Sequence, residues 1–281
     1  HGNFNAMASP CEVLIEGGER KEASRITRLV CDEAKRIEQK WSRYHDVSII
    51  QKINTANGQP VKVDNETANM LDYAEHIWRL SERRFDITSG VLRRAWQFDG
   101  SGNLPTKSEV SALMPLVGWH QATWQRPHLT LPTNMQLDFG GIGKEYAVDN
   151  ALKKARSYSQ RPLLINFGGD LVCSRPRLNG AAWQVGIESI DGGHTTDFIA
   201  LSQGAIATSG DANRYLQVGE KRYSHMLNAT TGWPVENAMR AVTVAAKNNT
   251  LAGMLATLAM LQGKNAERFL TAQNVQFRIQ H

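Results

Sequence analysis

Cysteine is scarce: Cys11, Cys31 and Cys173 are the only three in 281 residues. No two of them stand at CxxC or zinc-finger spacing, and an odd count argues against a disulfide framework. Long apolar runs are missing as well. Uncharged stretches, such as Phe198 to Gly210, fall short of the roughly 20 residues that a membrane-crossing helix needs. No long basic run occurs either. The 32 Lys and Arg against 27 Asp and Glu leave a formal charge of +5, spread in doublets such as Arg83–Arg84, Arg93–Arg94, Lys153–Lys154 and Lys221–Arg222. That pattern argues against a nucleic-acid partner and suits a small anionic ligand. There is no internal repeat, no low-complexity segment and no GxGxxG fingerprint. The opening HGNFNAMASP has neither a charged nor an apolar leader region, so no compartment is readable from it.

What is present is an ordinary globular balance, with 41% apolar and 21% charged residues. A chain of this length buries roughly 75% of its unfolded surface on folding, so it needs no disulfide staples. Met7 to Ile15 alternates as a strand does. Ala23 to Lys40 carries Ile26, Leu29, Val30 and Ile37 at helical spacing, and Asp64 to Ser81 repeats the pattern with Ala68, Leu71, Ala74, Ile77 and Trp78. The segment DGSGNLPTKS reads as a loop, with a short helix starting near Thr106. From residue 128 strands separated by glycine turns take over. His128–Leu131 and Met135–Phe139 are expected to pair over Pro132–Thr133–Asn134, and Leu216–Gly219 and Arg222–Leu227 over Glu220–Lys221. Further strands are expected over 162–167, 183–187, 198–201, 205–208 and 241–246, with helices over 144–157 and 251–261. Strands running consecutively favour an α+β fold over a doubly wound sheet. The whole chain, 1–281, is expected to be one domain.

Four segments carry chemistry. In LDFGGIGKEYAVDNALKKA a strand ends at Asp138, glycines follow, and a helix begins at Lys144. Glycines admit a ligand close to backbone N–H groups, and a helix N-terminus favours negative charge, which makes a diphosphate cradle. A plain strand-to-helix turn explains the same residues equally well. Asp138 can accept hydrogen bonds from a base or ribose, or hold a metal through water. In ATSGDANRYLQVGEKRYSHMLNATTGWPV, His225 precedes a polar turn and has the chemistry of a general base; a half-buried structural histidine is the plainer reading. In RFDITSGVLRRAWQF, Asp86 suits an Asx-type cap before a helix from about Gly90, and Phe85 can wall a planar ligand. In TLAGMLATLAML, a core helix puts Gly253 and Thr257 on one face.

Taken in order with MASPCE, WSRYHDVSIIQKIN and LINFGGDL, these segments resemble the ApbE family of FAD:protein FMN transferases over nearly the whole chain. The resemblance implies two interlocked α+β lobes of largely antiparallel sheet with flanking helices and a flavin cleft between them. It implies cleavage of FAD with Mg2+, transfer of FMN to a Thr or Ser of an acceptor flavoprotein through a phosphoester, and release of AMP. Met7, Tyr44, Arg84, Phe85, Asp86, Asp138, Lys144 and Leu227 match FAD contacts. His225 matches the residue that activates the acceptor hydroxyl, and the Gly141 carbonyl and Thr257 match metal ligands. An extracytoplasmic, periplasmic setting and a redox-complex or secreted acceptor follow from the same resemblance, which brings no nucleic acid. The sequence departs from the family pattern at three places. Gly253 stands where many members have a metal-binding Asp, Asn228 where Asp is usual, and Glu145 where Gly is common after the loop Lys. Hydrolysis of FAD to FMN and AMP, and non-catalytic FAD binding, are the alternative activities.

Overall fold

A computed structural model describes residues 1–98, 102–190, 197–211, 215–219, 221–236 and 238–281. Part of the expected DGSGNLPTKS loop and Glu220 of an expected hairpin turn lie outside the described residues. In chain order the strands and helices begin with β1 (Gly2–Ala6), β2 (Ser9–Ile15), α1 (Arg20–Trp41), α2 (Ile49–Asn54), β3 (Val61–Lys62), α3 (Asn65–Leu80) and α4 (Lys107–Leu113). Next come β4 (Thr123–Gln125), β5 (His128–Thr130), α5 (Gly143–Tyr158), β6 (Leu163–Phe167), β7 (Asp170–Cys173), β8 (Trp183–Ile187), β9 (Asp197–Leu201) and β10 (Gly204–Gly210). The last are β11 (Tyr215–Val218), β12 (Lys221–Ser224), β13 (Leu227–Asn228), β14 (Trp233–Pro234), β15 (Ala241–Ala246), α6 (Asn249–Gln262), α7 (Ala266–Ala272) and β16 (Gln276–Gln280).

The central sheet has seven strands in the order β1-β2-β6-β7-β10-β15-β16, and every neighbouring pair is antiparallel. This is the α+β class that consecutive strands pointed to. Helices α1 and α5 pack on each other, and α6 packs across β10 and β15. The largest core cluster joins Ile26, Val30 and Ile37 of α1, Ala147, Val148 and Ala151 of α5, and Val13, Ile165 and Phe167 of the sheet. Helix α6 is apolar nearly all round because it is wedged in a second core, with Val242, Val244, Leu255, Ala259 and Met260.

The local start signals worked as their chemistry requires. Asp64 caps α3 by accepting from the Thr67 amide, and Thr106 and Glu109 form a reciprocal capping box at α4. Asn248 caps α6 through the Leu251 amide, and Asp149 of α5 accepts from the amides of Asn249 and Thr250. Those bonds fix the start of α6 against α5. The expected hairpin over Pro132–Thr133–Asn134 does not form. β5 instead pairs with β3 and β4, and residues 135–139 run as an irregular segment with one isolated parallel bridge, Ser89 to Gln136. Its apolar side chains Met135, Leu137 and Phe139 are buried in the core, so alternation recorded burial, not pairing.

A charged network ties three helices together. Arg36 of α1 binds both Glu33 and Glu66, and Glu66 of α3 also receives Lys40 and the Tyr146 hydroxyl of α5. Arg36, then Lys40 and Tyr146, hold the Glu66 carboxyl down at about 2, against an opposing contribution from burial. A depressed carboxyl stabilises the fold above its unfolded value and loses that effect as pH falls toward the folded value. Glu66→Gln is therefore expected to lower stability at pH 7 by on the order of 2 kcal/mol. In urea titrations run from pH 7 to pH 2, the gap from the parent should close as pH drops below about 4.5. A gap independent of pH would show that Glu66 acts by packing alone.

Candidate flavin site

The expected site residues come from six places in the chain, and one short stretch, Arg84 to Ile87, joins two of the main ones. On one side the Asp138 amide donates to the Ile87 carbonyl at 2.8 Å. On the other the Ala229 amide donates to the Arg84 carbonyl at 2.9 Å, fixing the turn that follows Leu227. Gly141 lies against the Phe85 ring: a Cβ added there would stand 3.2 Å from Phe85 Cε2. Asp138, Gly141, Phe85, Arg84 and Leu227 thus surround one backbone segment. His225 lies two residues before Leu227, between β12 and β13, half-buried with its ring edge-on to Phe98 at 6.3 Å.

The glycine loop makes a helix start that no side chain closes. The amides of Ile142 and Gly143 both bond to the Phe139 carbonyl, which begins α5, and its N-cap position has no side-chain cap. An uncapped N-terminus leaves backbone donors and the positive end of the helix dipole for an anion. Asp138 does not compete for it. Its Oδ1 accepts from the Gly140 amide at 2.7 Å, and its Oδ2 faces Arg43 Nη1 at 3.3 Å and Arg93 Nε at 3.5 Å. Arg43 also donates to the Gly90 carbonyl and to Gln136, and it lies 5.7 Å from the Tyr44 ring centroid. Tyr44 itself is 77% exposed. Gly90 is needed at this crossing, since its Cβ would lie 2.9 Å from that of Asp138. Arg43 and Arg93 were missed by reading motifs. The Arg93–Arg94 doublet registered only as charge, and nothing local to Arg43 signals that it reaches across 95 positions to Asp138.

Lys144 joins the helix start to two hairpin turns. Its Nζ reaches the Gly168 carbonyl at 3.3 Å and Asp170 Oδ2 at 3.0 Å. Gly168, with φ +57, lies so close to Ser9 that a Cβ would meet Ser9 Cβ at 2.6 Å. That contact places the β1–β2 turn, Met7–Ala8, beside Lys144. Both turn residues are left-handed, with φ 54 and 55, where a two-residue hairpin of this kind normally prefers Asn and Gly. Two side chains held there cost on the order of 1–2 kcal/mol each. The Met7 amide is anchored on Glu38 Oε1 of α1 at 2.9 Å.

Asp86 is placed differently from the other expected contacts. It is 4% exposed; its Oδ1 accepts from the amide and hydroxyl of Thr88, and its Oδ2 from the Trp119 amide. Burial pushes its carboxyl above the usual range, opposed by those same donors. Its side chain is thus spent on holding the loop in shape, close to the Asx role read in the sequence. The helix it precedes is a 3-10 turn, Gly90–Arg94. Asn228 likewise makes an Asx turn, accepting from the amide and hydroxyl of Thr230. Arg84 donates to Gln262 at the end of α6 and pairs with Glu82.

At the α5–α6 contact the donor set is oxygen-rich. Thr257 is 8% exposed on α6. One turn earlier, a Cβ on Gly253 would lie 2.4 Å from Glu145 Cγ and 2.8 Å from Glu145 Oε1, so Glu145 fills the space where a side chain at 253 would stand. Glu145 Oε2, Asp170 Oδ2 and Asn249 Oδ1 are all sealed from solvent without a hydrogen bond, although Asp170 Oδ2 has Lys144 as an ion-pair partner. Burial, then the charge of Asp170, pushes the Glu145 carboxyl up to about 8. Among the described residues no cluster of three or more His, Cys, Asp or Glu has metal-holding geometry. The Glu145 and Asp170 carboxylates and the Asn249 carbonyl oxygen are nevertheless donors of the kind that a hard cation takes. Cavities of about 430 and 490 Å3 lie elsewhere, one lined by Tyr73, Tyr146 and Lys247, the other by Arg161, Arg175 and Arg177.

These contacts define an antiparallel α+β protein with an uncapped helix start framed by aromatic, basic and glycine positions. The sequence profile of the ApbE family matches residues 7–279, and the chain belongs to the ApbE family. A FAD:protein FMN transferase of Vibrio cholerae is 28% identical over 236 residues, spanning 81% of this chain and 70% of that protein. One of Chlamydia muridarum is 26% identical over 278 residues, 90% of this chain and 85% of that protein. The crystal structure of the ApbE protein of Thermotoga maritima superposes with a TM-score of 0.89 at 28% identity, covering 99% of this chain and 92% of that one.

Asp86→Ala is expected to cost about 3 kcal/mol, because it strands the buried amides of Thr88 and Trp119. Asp86→Asn should cost less, since an amide oxygen still accepts. Equal urea midpoints for Asp86→Ala and the parent would show that the bracket carries no stability.

Proposed function

We propose that this protein cleaves FAD and transfers FMN to a Thr or Ser hydroxyl of an acceptor flavoprotein, releasing AMP. The observation that carries the reading is the convergence on Arg84–Ile87 of Asp138, ahead of the glycine loop, and Ala229, just after His225–Leu227, two anchors 91 positions apart held within four residues. The names of the relatives support the same chemistry. The uncapped start of α5 and the ammonium of Lys144 suit the diphosphate. Phe85 offers an aromatic face beside that loop, Tyr44 lies beside Arg43, and the Arg43–Asp138–Arg93 cluster offers polar groups for a base or sugar. Leu227 supplies an apolar contact next to the histidine.

The acceptor oxygen attacks the phosphorus on the FMN side. A new P–O ester bond forms, the bond to the bridging oxygen breaks, and that oxygen leaves with AMP. His225 takes the hydroxyl proton. When bound, Mg2+ neutralises charge on the diphosphate and the departing phosphate, and Gly141, Thr257 and the acidic groups beside them are its fitting holders. Positioning does most of the remaining work in such transfers. By resemblance the acceptor is an extracytoplasmic flavoprotein. The described residues contain no helix long and apolar enough to cross a membrane.

Incubation with FAD, Mg2+ and an acceptor domain should give a covalently fluorescent acceptor and one AMP per label. His225→Ala should cut the labelling rate roughly 10²–10⁴-fold with FAD affinity retained. An unchanged rate removes His225 from the chemistry, and release of free FMN without label would make the protein a hydrolase. Separately, Asp138→Ala should weaken FAD binding about tenfold, read by quenching of flavin fluorescence, through loss of one charge-assisted contact and release of the two arginines. An affinity equal to the parent's would place the flavin away from Asp138.

A further inference from the structure

Glu145 and Gly253 are 108 positions apart, yet the structure makes them one unit. The stem and carboxylate of Glu145 occupy the volume over Gly253, with Cγ, Oε1 and Cδ at 2.4, 2.8 and 3.0 Å from where a Cβ would be. Any side chain at 253 would have to displace Glu145. The carboxylate delivered there is not consumed by the protein, because its Oε2 is buried without a hydrogen bond. Two further unsatisfied oxygens lie on α6 and β7, the elements that pack against α5. Asn249 Oδ1, one helical turn before Gly253, is fully buried, with only its Nδ2 used, on the Leu171 and Ile206 carbonyls. Asp170 is 2% exposed and meets Lys144 but makes no hydrogen bond through Oδ2.

The charge count points the same way. Asp170 already meets Lys144 at 3.0 Å, Glu145 has no ion-pair partner among the described residues, and Asp149 uses its oxygens to hold the start of α6. Against Glu145 and Asp170 stands the single ammonium of Lys144. A buried carboxylate without a partner is costly, and unsatisfied buried oxygens are rare in native proteins. One small cation removes both penalties. Oxygen-only donors with no nitrogen or sulfur select a hard divalent ion of the Mg2+, Mn2+ or Ca2+ kind.

We propose that Glu145 is the acidic ligand of a divalent-cation subsite between α5 and α6, supplying from the first turn of α5 the carboxylate that α6 lacks at Gly253. Only the use of the cation, as a diphosphate neutraliser, rests on the flavin-transfer reading. The placement rests on the packing of these two helices. The carboxylate can be moved from one helix to the other and still point at the same volume, provided the first helix gives up its side chain.

That exchange is the test. Full-length protein without FAD is titrated with Mn2+, and free Mn2+ is read by its electron paramagnetic resonance signal. The parent should bind one Mn2+, and the near-isosteric Glu145→Gln should bind it at least tenfold more weakly at an unchanged melting temperature. Gly253→Asp alone should melt lower than the parent, because the new side chain meets Glu145. Combining Glu145→Gly with Gly253→Asp should bring Mn2+ affinity back to within about threefold of the parent. A parent that binds no Mn2+, a Glu145→Gln variant that binds like the parent, or a folded double variant no better than Glu145→Gln each overturns the assignment. Acceptor labelling on the same samples keeps the two ideas apart: label formation by the parent with Mn2+ binding indifferent to Glu145 rejects the subsite and leaves FMN transfer standing.

Discussion

The buried Asp170 of β7 and the half-buried Lys144 and Glu145 at the start of α5 set the terms for everything around them. Lys144 reaches the Gly168 carbonyl and Asp170, so its charge is already engaged by one carboxylate when Glu145 enters the same interior. Burial and the Asp170 charge then push the Glu145 carboxyl up to about 8. A fold selected for stability alone would place apolar side chains there. Keeping the acids fits the general rule that active sites hold groups whose charge the fold does not itself satisfy. The surroundings absorb the cost. Asp149 locks the first amides of α6, and the core of α1, α5 and β6 packs without charged groups apart from the bridged Glu33.

Close backbone approach is the second requirement, and glycine meets it at three crossings. Gly168 lets the β6–β7 turn touch Ser9, Gly90 lets its chain pass Asp138, and Gly253 lets Glu145 lie across α6. Each is a place where one added methyl group would collide with a named atom. The left-handed pair Met7–Ala8 shows the complementary case, side chains kept where glycine would be easier. Strain held at such a turn marks a position whose side chain has a use, and Met7 stands beside the lysine that faces the glycine loop. Sequence, backbone geometry and site are connected here through the Gly168–Ser9 contact and not through neighbouring residues.

How far the sequence could be read depended on the range of the forces involved. Helices α1, α3, α5 and α6 were legible because their apolar spacing is local, and α3 and α6 add side-chain caps. Strand existence was legible for the same reason at β6, β8 to β12 and β15, but not at β7 or β14. Pairing was not. Met135–Phe139 alternates like a strand partner for β5, but β5 was taken by β3 and β4, and burial of Met135, Leu137 and Phe139 needed no ladder. The α7–β16 end, which completes the sheet beside β15, carried no signal strong enough to stand out. Ordered motifs pointed to the family, and the family assignment agrees with them. They did not reveal Arg43 and Arg93, whose role exists only through Asp138.

The pair Glu145 and Gly253 shows why such readings stop where they do. Seen one position at a time, a glutamate after the loop lysine is a favourable helix-start residue, and a glycine in α6 is a lost ligand. Both readings are sound locally and neither is complete. Only packing shows that the glutamate occupies what the glycine leaves empty, within 2.4 Å of an absent Cβ. A negative charge in a fixed volume can be delivered from either of two helices that meet there, because electrostatics depends on where the charge lies and not on which residue carries it. Loss of an acid from one position is therefore weak evidence that a charge-requiring site has decayed. The stronger evidence is whether the vacated space is refilled by carbon or by oxygen, and here it is refilled by a carboxylate with one oxygen left over.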